Sequence, residues 1–396
     1  MMFSAILGNP DHPEYGVATI PFPIPKEQFS RCMEMLALLE TGDAVKQDCK
    51  VLEITGAFPV LKCMELQCIN VDEMDYLAKR LESFDIGEAA QFQAMAHKLE
   101  LTELKDLINL TFCCQQATVI TDFTDLEAVG RDHYMSLHGG CVLTDELNNV
   151  DGYESALLLI RDGAGTITPY GVAYDNGMKL EQAYDGRHFP GYHYEQEVLM
   201  VALTSRKEPE DTQAITWLYF PAEKEQLERA MLRSGIEDSE DMQLRFIESQ
   251  FPVEVDAALD FRREGIFELN ELATVFARLS PEDQSKLGAV VKLAEPEYAY
   301  QIRHLAENLD LFDFAPGAHT LEELGKYMIR ESGRFDYDSN LDEFYNFEKY
   351  GLQRMEQQAG QFTDRGYIAY LGAMSLDELM MEDPVEQMDF KMGGMT

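Results

Sequence analysis

Apolar residues along this chain recur with two different periods, and the switches between them predict the elements. FSAILG (3–8), GVATIPF (16–22) and CKVLEI (49–54) read as short strands. Val71, Met74, Leu77, Ala78 and Leu81 then fall on one face of a helix over 71–81, with Asn70 placed to cap it. Short helices continue to about Leu110, a helix follows at 125–137, and a strand pair closes the series around 166–174. The apolar runs ALLLI (156–160) and VLMVAL (198–203) read as buried strands, and RDGAGT (161–166) as a hairpin turn. From residue 198 the order repeats: strands VLMVALT (198–204), AITWLYF (214–220) and MQLRFIE (242–248), then a helix over 269–279. That helix carries Leu269, Leu272, Val275, Phe276 and Leu279, with Glu268 and Asn270 around its start. A helix at 320–331 and a strand pair around 361–370 end the second series. The expected fold class is α+β, a tandem of small α+β and helical parts.

The repetition extends to wording. FPIPKEQFSRCM (22–33) and FPAEKEQLERAM (220–231) share seven of twelve residues at an offset of 198. DLEAVGR (125–131) meets TLEELGK (320–326) at an offset of 195, and AGTITPYGVAY (164–174) meets AGQFTDRGYIAY (359–370) with one inserted residue. The ordered matches predict an internal duplication of about 195 residues, too long a period for a solenoid. The expected modules are α+β over 1–66, helical over 67–112, and α+β with a connector over 113–197. The second series follows as α+β over 198–262, helical over 263–310 and α+β over 311–374. The acidic stretch 375–396 is expected to be a disordered end.

Charge changes the picture most. Hydrophobic residues make up 45% and charged residues 26% of the 396, an ordinary globular balance, yet 72 Asp and Glu oppose only 32 Lys and Arg. The net charge of −40 repels nucleic acid and anionic membranes and favours a basic partner. It equals that of roughly 20 base pairs of duplex DNA and exceeds the magnitude of about 2–8 that keeps a small domain soluble. The acids follow predicted helices and are interrupted by apolar anchors, so fixed surface carboxylates are expected rather than a floppy tail. No signal peptide or membrane span is visible, and seven cysteines without framework spacing read as reduced thiols in a cytoplasmic protein.

Catalytic chemistry finds little support. His188, His193, Glu195 and Glu197 could bind a metal by spacing, but the second series has no equivalent, and a tyrosine-rich connector accounts better for them. HExxH, P-loop, GxSxG and GxGxxG motifs are absent. A glycosidase-like carboxylate pair is not isolated by any sequence feature, so a non-enzymatic protein without cofactor is expected. A carboxylate-dependent hydrolase is the weaker alternative.

The second series resembles the ArdA antirestriction proteins. The likeness lies in the FP-then-acidic-helix opening, LNELATVFARL (269–279), TLEELGKYMI (320–329), YNFEKYG (345–351) and FTDRGYIAY (362–370). The first series fits more loosely, with DGYESAL (151–157) where the second has YNFEKYG. The resemblance implies an elongated DNA mimic of mobile elements, without cofactor, that occupies the DNA groove of type I restriction-modification enzymes. Family members dimerise; two units in one chain imply a homodimer or a pseudo-dimer within the polypeptide. Another nucleic-acid-handling defence enzyme, such as a CRISPR nuclease, is the alternative target. The carboxylates expected to stand in for phosphates are Asp122, Asp125 and Glu127 in the first series. In the second they are Glu237, Asp238, Glu240, Asp241, Glu322, Glu323, Asp336, Asp338, Asp342 and Glu343.

Overall fold

The computed structural model describes residues 2–192, 197–207, 214–334 and 336–381. Its strands form four separate antiparallel sheets interleaved with helices, which makes the fold α+β. Two structural units are present. Unit 1 comprises Met1–Tyr192 with Ala214–Thr216 and Glu225–Glu237; unit 2 comprises His193–Gln213, Trp217–Lys224 and Asp238–Thr396.

Unit 1 opens with β1 (Phe3–Gly8), β2 (Val17–Phe22), β3 (Cys49–Gly56) and β4 (Cys68–Ile69), in the order β2-β1-β3-β4. The predicted alternation is realised in β1, where Phe3, Ala5 and Leu7 are buried. The Phe22–Pro23 peptide is cis, as is Phe220–Pro221 in unit 2. A 3-10 turn at Lys26–Gln28 leads into α1 (Phe29–Ala37), which buries Phe29, Cys32 and Leu36. Next come α2 (Val71–Glu82), α3 (Ile86–Lys98) and α4 (Leu104–Leu110). All five residues of the predicted α2 face are buried, and the side chain of Asn70 accepts from the N–H groups of Asp72 and Glu73. These elements share one continuous core.

The rest of unit 1 runs through β5 (Thr118–Ile120), α5 (Leu126–Leu137), α6 (Thr144–Asn148), α7 (Gly152–Asp162), β6 (Thr166–Thr168) and β7 (Gly171–Tyr174). Two expectations fail here. ALLLI (156–160) lies in α7, not in a strand, whereas VLMVAL does form a strand. Asp151 caps α7 by accepting from Glu154 N–H, and Ala156 and Leu159, three apart, are buried while Leu157, Leu158 and Ile160 are exposed. RDGAGT accordingly joins a helix end to a strand, and the hairpin turn falls at Pro169-Tyr170 between β6 and β7.

Glycine sets the approach of α5 to α7. A Cβ on Gly130 would lie 1.7 Å from the carbonyl oxygen of Gly152, so only glycine allows the backbones this close.

The last helix of unit 1 is α8 (Lys224–Ser234), which belongs to it from Glu225 onward. Sequence order places this helix with 198–262, but its basic side chains bond within unit 1. The Arg229 guanidinium grips Asp72 (Nε–Oδ1 3.0 Å, Nη2–Oδ2 3.0 Å) and donates to Gly42 O at 2.7 Å. Arg233 is deeper. It donates to Ala44 O (2.8 Å), Asn70 Oδ1 (3.2 Å), Arg187 O (3.1 Å) and the Tyr184 hydroxyl (2.7 Å), and lies 3.8 Å from Glu73.

Unit 2 opens with β8 (Leu199–Ser205), β9 (Thr216–Phe220) and β10 (Met242–Ser249), in the order β10-β8-β9. Helices α9 (Val253–Ala258), α10 (Ile266–Phe276), α11 (Pro281–Ala294) and α12 (Ala299–Glu307) follow. The helix expected at 269–279 begins at Ile266 and ends at Phe276, with Gly265 at its N-cap. Asn270 caps nothing; it exchanges two hydrogen bonds with the Ala222 backbone. After β11 (Phe312–Pro316) and α13 (Leu321–Arg330), the chain continues through α14 (Phe347–Gln358), β12 (Gln361–Thr363) and β13 (Gly366–Tyr370). The α13–α14 contact has the same form as α5–α7, with a Cβ on Gly325 falling 1.9 Å from Phe347 O. Residues 375–381, expected as part of a disordered end, include α15 (Leu376–Leu379), with a Ser375–Glu378 capping box and with Leu379 and Met380 buried. The remainder of that stretch, 382–396, lies outside the described residues.

Candidate functional site

The thirteen expected carboxylates fall into three groups by what holds them. Asp122, Asp125, Glu323 and Asp338 are exposed and order local backbone. Asp125 caps α5, accepting from Ala128 N–H at 3.0 Å, and Asp338 accepts from Asn340 N–H at 2.9 Å. Hydrogen bonds from the Thr124 backbone and hydroxyl hold Asp122 below the usual carboxylate range. The His319 N–H and then the Thr320 hydroxyl do the same for Glu323. Asp122 and Glu323 are thereby fixed negative charges at neutral pH, as a phosphate stand-in requires.

The second group is already neutralised. Glu127 accepts from Tyr153 N–H and pairs with Arg131 at 3.0 Å, and Glu322 pairs with Lys326 at 2.6 Å. Asp342 accepts from the Tyr337 hydroxyl at 2.6 Å and is bonded to Arg330, and these two contacts depress its pKa. Asp241 is partly desolvated, but bonds from the Ser205 hydroxyl and Lys207 N–H outweigh that and lower its pKa. These four are poor phosphate mimics because an intramolecular cation or donor set competes with any partner.

Glu237, Glu240, Asp336 and Glu343 form the third group: exposed, with no side-chain hydrogen bond or ion pair to another described residue. Asp238 is intermediate, since it accepts from Glu240 N–H and lies 3.4 Å from Lys207 Nζ. In unit 2, Glu322 and Glu323 stand in the first turn of α13, and Asp342 is bonded to Arg330 in its last turn.

Two further acidic clusters were missed by sequence reasoning. In unit 1 the α3 cap Asp85, the α5 cap Asp125 and Asp132 converge. Asp132, although exposed, is pushed above the usual carboxylate range, first by partial desolvation and then by the charges of Asp85 and Asp125. Only the Asp85-x-x-Glu88 capping box was visible beforehand, and it says nothing of the neighbours. In unit 2 both oxygens of Glu264 accept from Ala299 N–H, at the N-terminus of α12. Desolvation leads, and with the charges of Glu268 and Asp260 it outweighs that bond and raises Glu264 to about 7. Like charges held together are relieved by a positively charged partner; in unit 2 Asp260 already has one in Arg263 at 3.3 Å.

Among the described residues no three His, Cys, Asp or Glu side chains converge to hold a metal ion. His188 is bonded to Asp185 at 2.8 Å, while His193 and Glu195 lie outside the described residues. No helix among the described residues is long and apolar enough to cross a membrane. Compared with known proteins, the chain matches no protein-family model and no curated protein sequence.

Proposed function

We propose that the chain is a stoichiometric inhibitor, not an enzyme, whose carboxylates take the place of DNA phosphates in the basic groove of a nucleic-acid-handling enzyme. One observation carries this reading: the net charge of −40 includes exposed carboxylates fixed on helix caps and tight turns. Such a surface steers itself toward Lys- and Arg-lined grooves and gains by releasing their anions. The resemblance to the ArdA proteins supplies the target, a type I restriction-modification enzyme, and the biological sense, protection of incoming mobile DNA. It also motivates reading 3–174 and 199–370 as duplicated units, since apart from β4 and α6 in the first and α9 in the second their strands and α-helices follow one order.

The test is inhibition of a purified type I enzyme, with duplex DNA as competitor at about 50 and 200 mM salt. Inhibition should be DNA-competitive and weaken with salt. Combining Glu237→Gln, Glu240→Gln, Asp336→Asn and Glu343→Gln should weaken it progressively, each alone changing it by less than about fivefold. Unchanged inhibition by the quadruple variant, or turnover of a small substrate without any protein partner, would sink the proposal. If a CRISPR nuclease is inhibited and the type I enzyme is not, the mechanism survives and the target changes.

A further inference from the structure

One surface of unit 1 gathers exposed apolar side chains at a groove. Between α5 and α7 lies a groove of about 440 Å³, with Leu137 and Leu158 on its walls and His133, Tyr134, Ser155 and Asp162 around them. Leu137 is 55% exposed and Leu158 44%. Exposed apolar side chains gathered at a groove mark interaction sites.

The surrounding charge identifies the kind of occupant. Residues 121–165 contain nine Asp and Glu against two Arg. Both arginines are engaged, Arg131 with Glu127 at 3.0 Å and Arg161 with Asp162 at 2.6 Å. Tyr134, on the groove wall, donates to Glu146 at 2.7 Å and so draws a carboxylate to the rim. An apolar floor inside an acidic rim complements a segment with apolar anchors on one side and Lys or Arg beside them. A second copy would bring an identical acidic rim against this one, and an anionic membrane would repel both.

We propose that the α5–α7 groove is a docking site for a basic amphipathic helix of a target protein. Its apolar side chains insert between Leu137 and Leu158, and its cations lie over the carboxylate rim. The phosphate-mimicking carboxylates steer and neutralise; this groove adds a short-range, salt-resistant contact.

The test uses a fluorescein-labelled amphipathic helical peptide built of Leu and Lys, and a counterpart of equal charge with Gln in place of Leu. Anisotropy is read at about 0.5 M salt, where screening acts within roughly 4–5 Å. The Leu–Lys peptide should bind, and the Leu137→Gln/Leu158→Gln variant should bind it about tenfold more weakly or worse. Leu38→Gln, at a distant exposed position, should bind it like the wild type. Equal affinity of the groove variant, or equal binding of the Gln–Lys peptide, overturns the proposal. So does a wild-type dimer in sedimentation that the groove variant abolishes, since the occupant is then a second copy. The groove variant removes no charge, so loss of peptide binding with unaltered salt-dependent DNA competition separates this site from the acidic surface. Circular dichroism of each variant checks that both exposed leucines were replaced without unfolding.

Discussion

Removal of Arg233 should expose how much of unit 1 depends on one buried cation. The Arg233 side chain is 5% exposed and that of its partner Glu73 is 3% exposed. Its guanidinium has four hydrogen-bond acceptors and lies under the Phe189 ring, 4.2 Å from the centroid. Arg233→Met keeps the apolar stem and deletes the charge and every donor. Glu73 then retains the Tyr184 hydroxyl at 2.8 Å but loses the guanidinium 3.8 Å away. Stranding one member of a buried pair costs about 3–5 kcal/mol. In a unit of this size about 2–4 °C of melting temperature is lost per kcal/mol, so a fall on the order of 10 °C is expected.

Burial already raises the Glu73 pKa, against the opposing pull of Tyr184 and Arg233. Without Arg233 it should rise further, so the folded state binds a proton that the unfolded state releases. The loss should therefore be smaller near pH 5 than near pH 8. Adding Glu73→Gln should recover much of the stability at pH 8 and remove that pH dependence. Urea unfolding followed by circular dichroism at both pH values gives all four corners of the cycle. A cost below about 1 kcal/mol for Arg233→Met, or no coupling to Glu73, would refute the assignment of α8 to this core.

Other consequences can be checked with the same apparatus. Gly325→Ala and Gly130→Ala should each destabilise by more than about 2 kcal/mol, because the new methyl meets a carbonyl on the facing helix; neutral substitutions would show that the helices are free to separate. Glu264 has a folded pKa of about 7, above its unfolded value, so stability should decline as pH rises from about 4.5 through 7. Glu264→Gln should flatten that decline, and an unchanged urea midpoint profile would contradict the desolvated cap. Asn70→Ala should cost about 2 kcal/mol or more in thermal unfolding, since the fully buried amide both caps α2 and donates to Asp43 O and Lys46 O at 2.9 Å.

The sequence by itself determined most strand positions, the α2 face and the chain's own net charge. Each of these follows from local information: period-2 and period-3.6 burial, caps adjacent in the chain, and a summed charge that needs no coordinates. It also singled out Asp125 and Asp338, which the fold uses to cap a helix and to start a turn while they face solvent. Tertiary structure decided the rest. ALLLI is apolar enough for a strand, and only the packing of Ala156 and Leu159, with three neighbours left in solvent, makes it a helix carrying a groove wall. α8 reads as a solvated charged helix, KEQLERAMLRS, yet Arg233 is buried because Glu73, Tyr184 and Asn70, up to 163 residues away, compensate its desolvation. Likewise Glu127, Asp241 and Asp342 looked as available as Glu237 or Glu343 until their partners were in place. A carboxylate's charge is written in the sequence, but its availability depends on which cation the fold brings within reach.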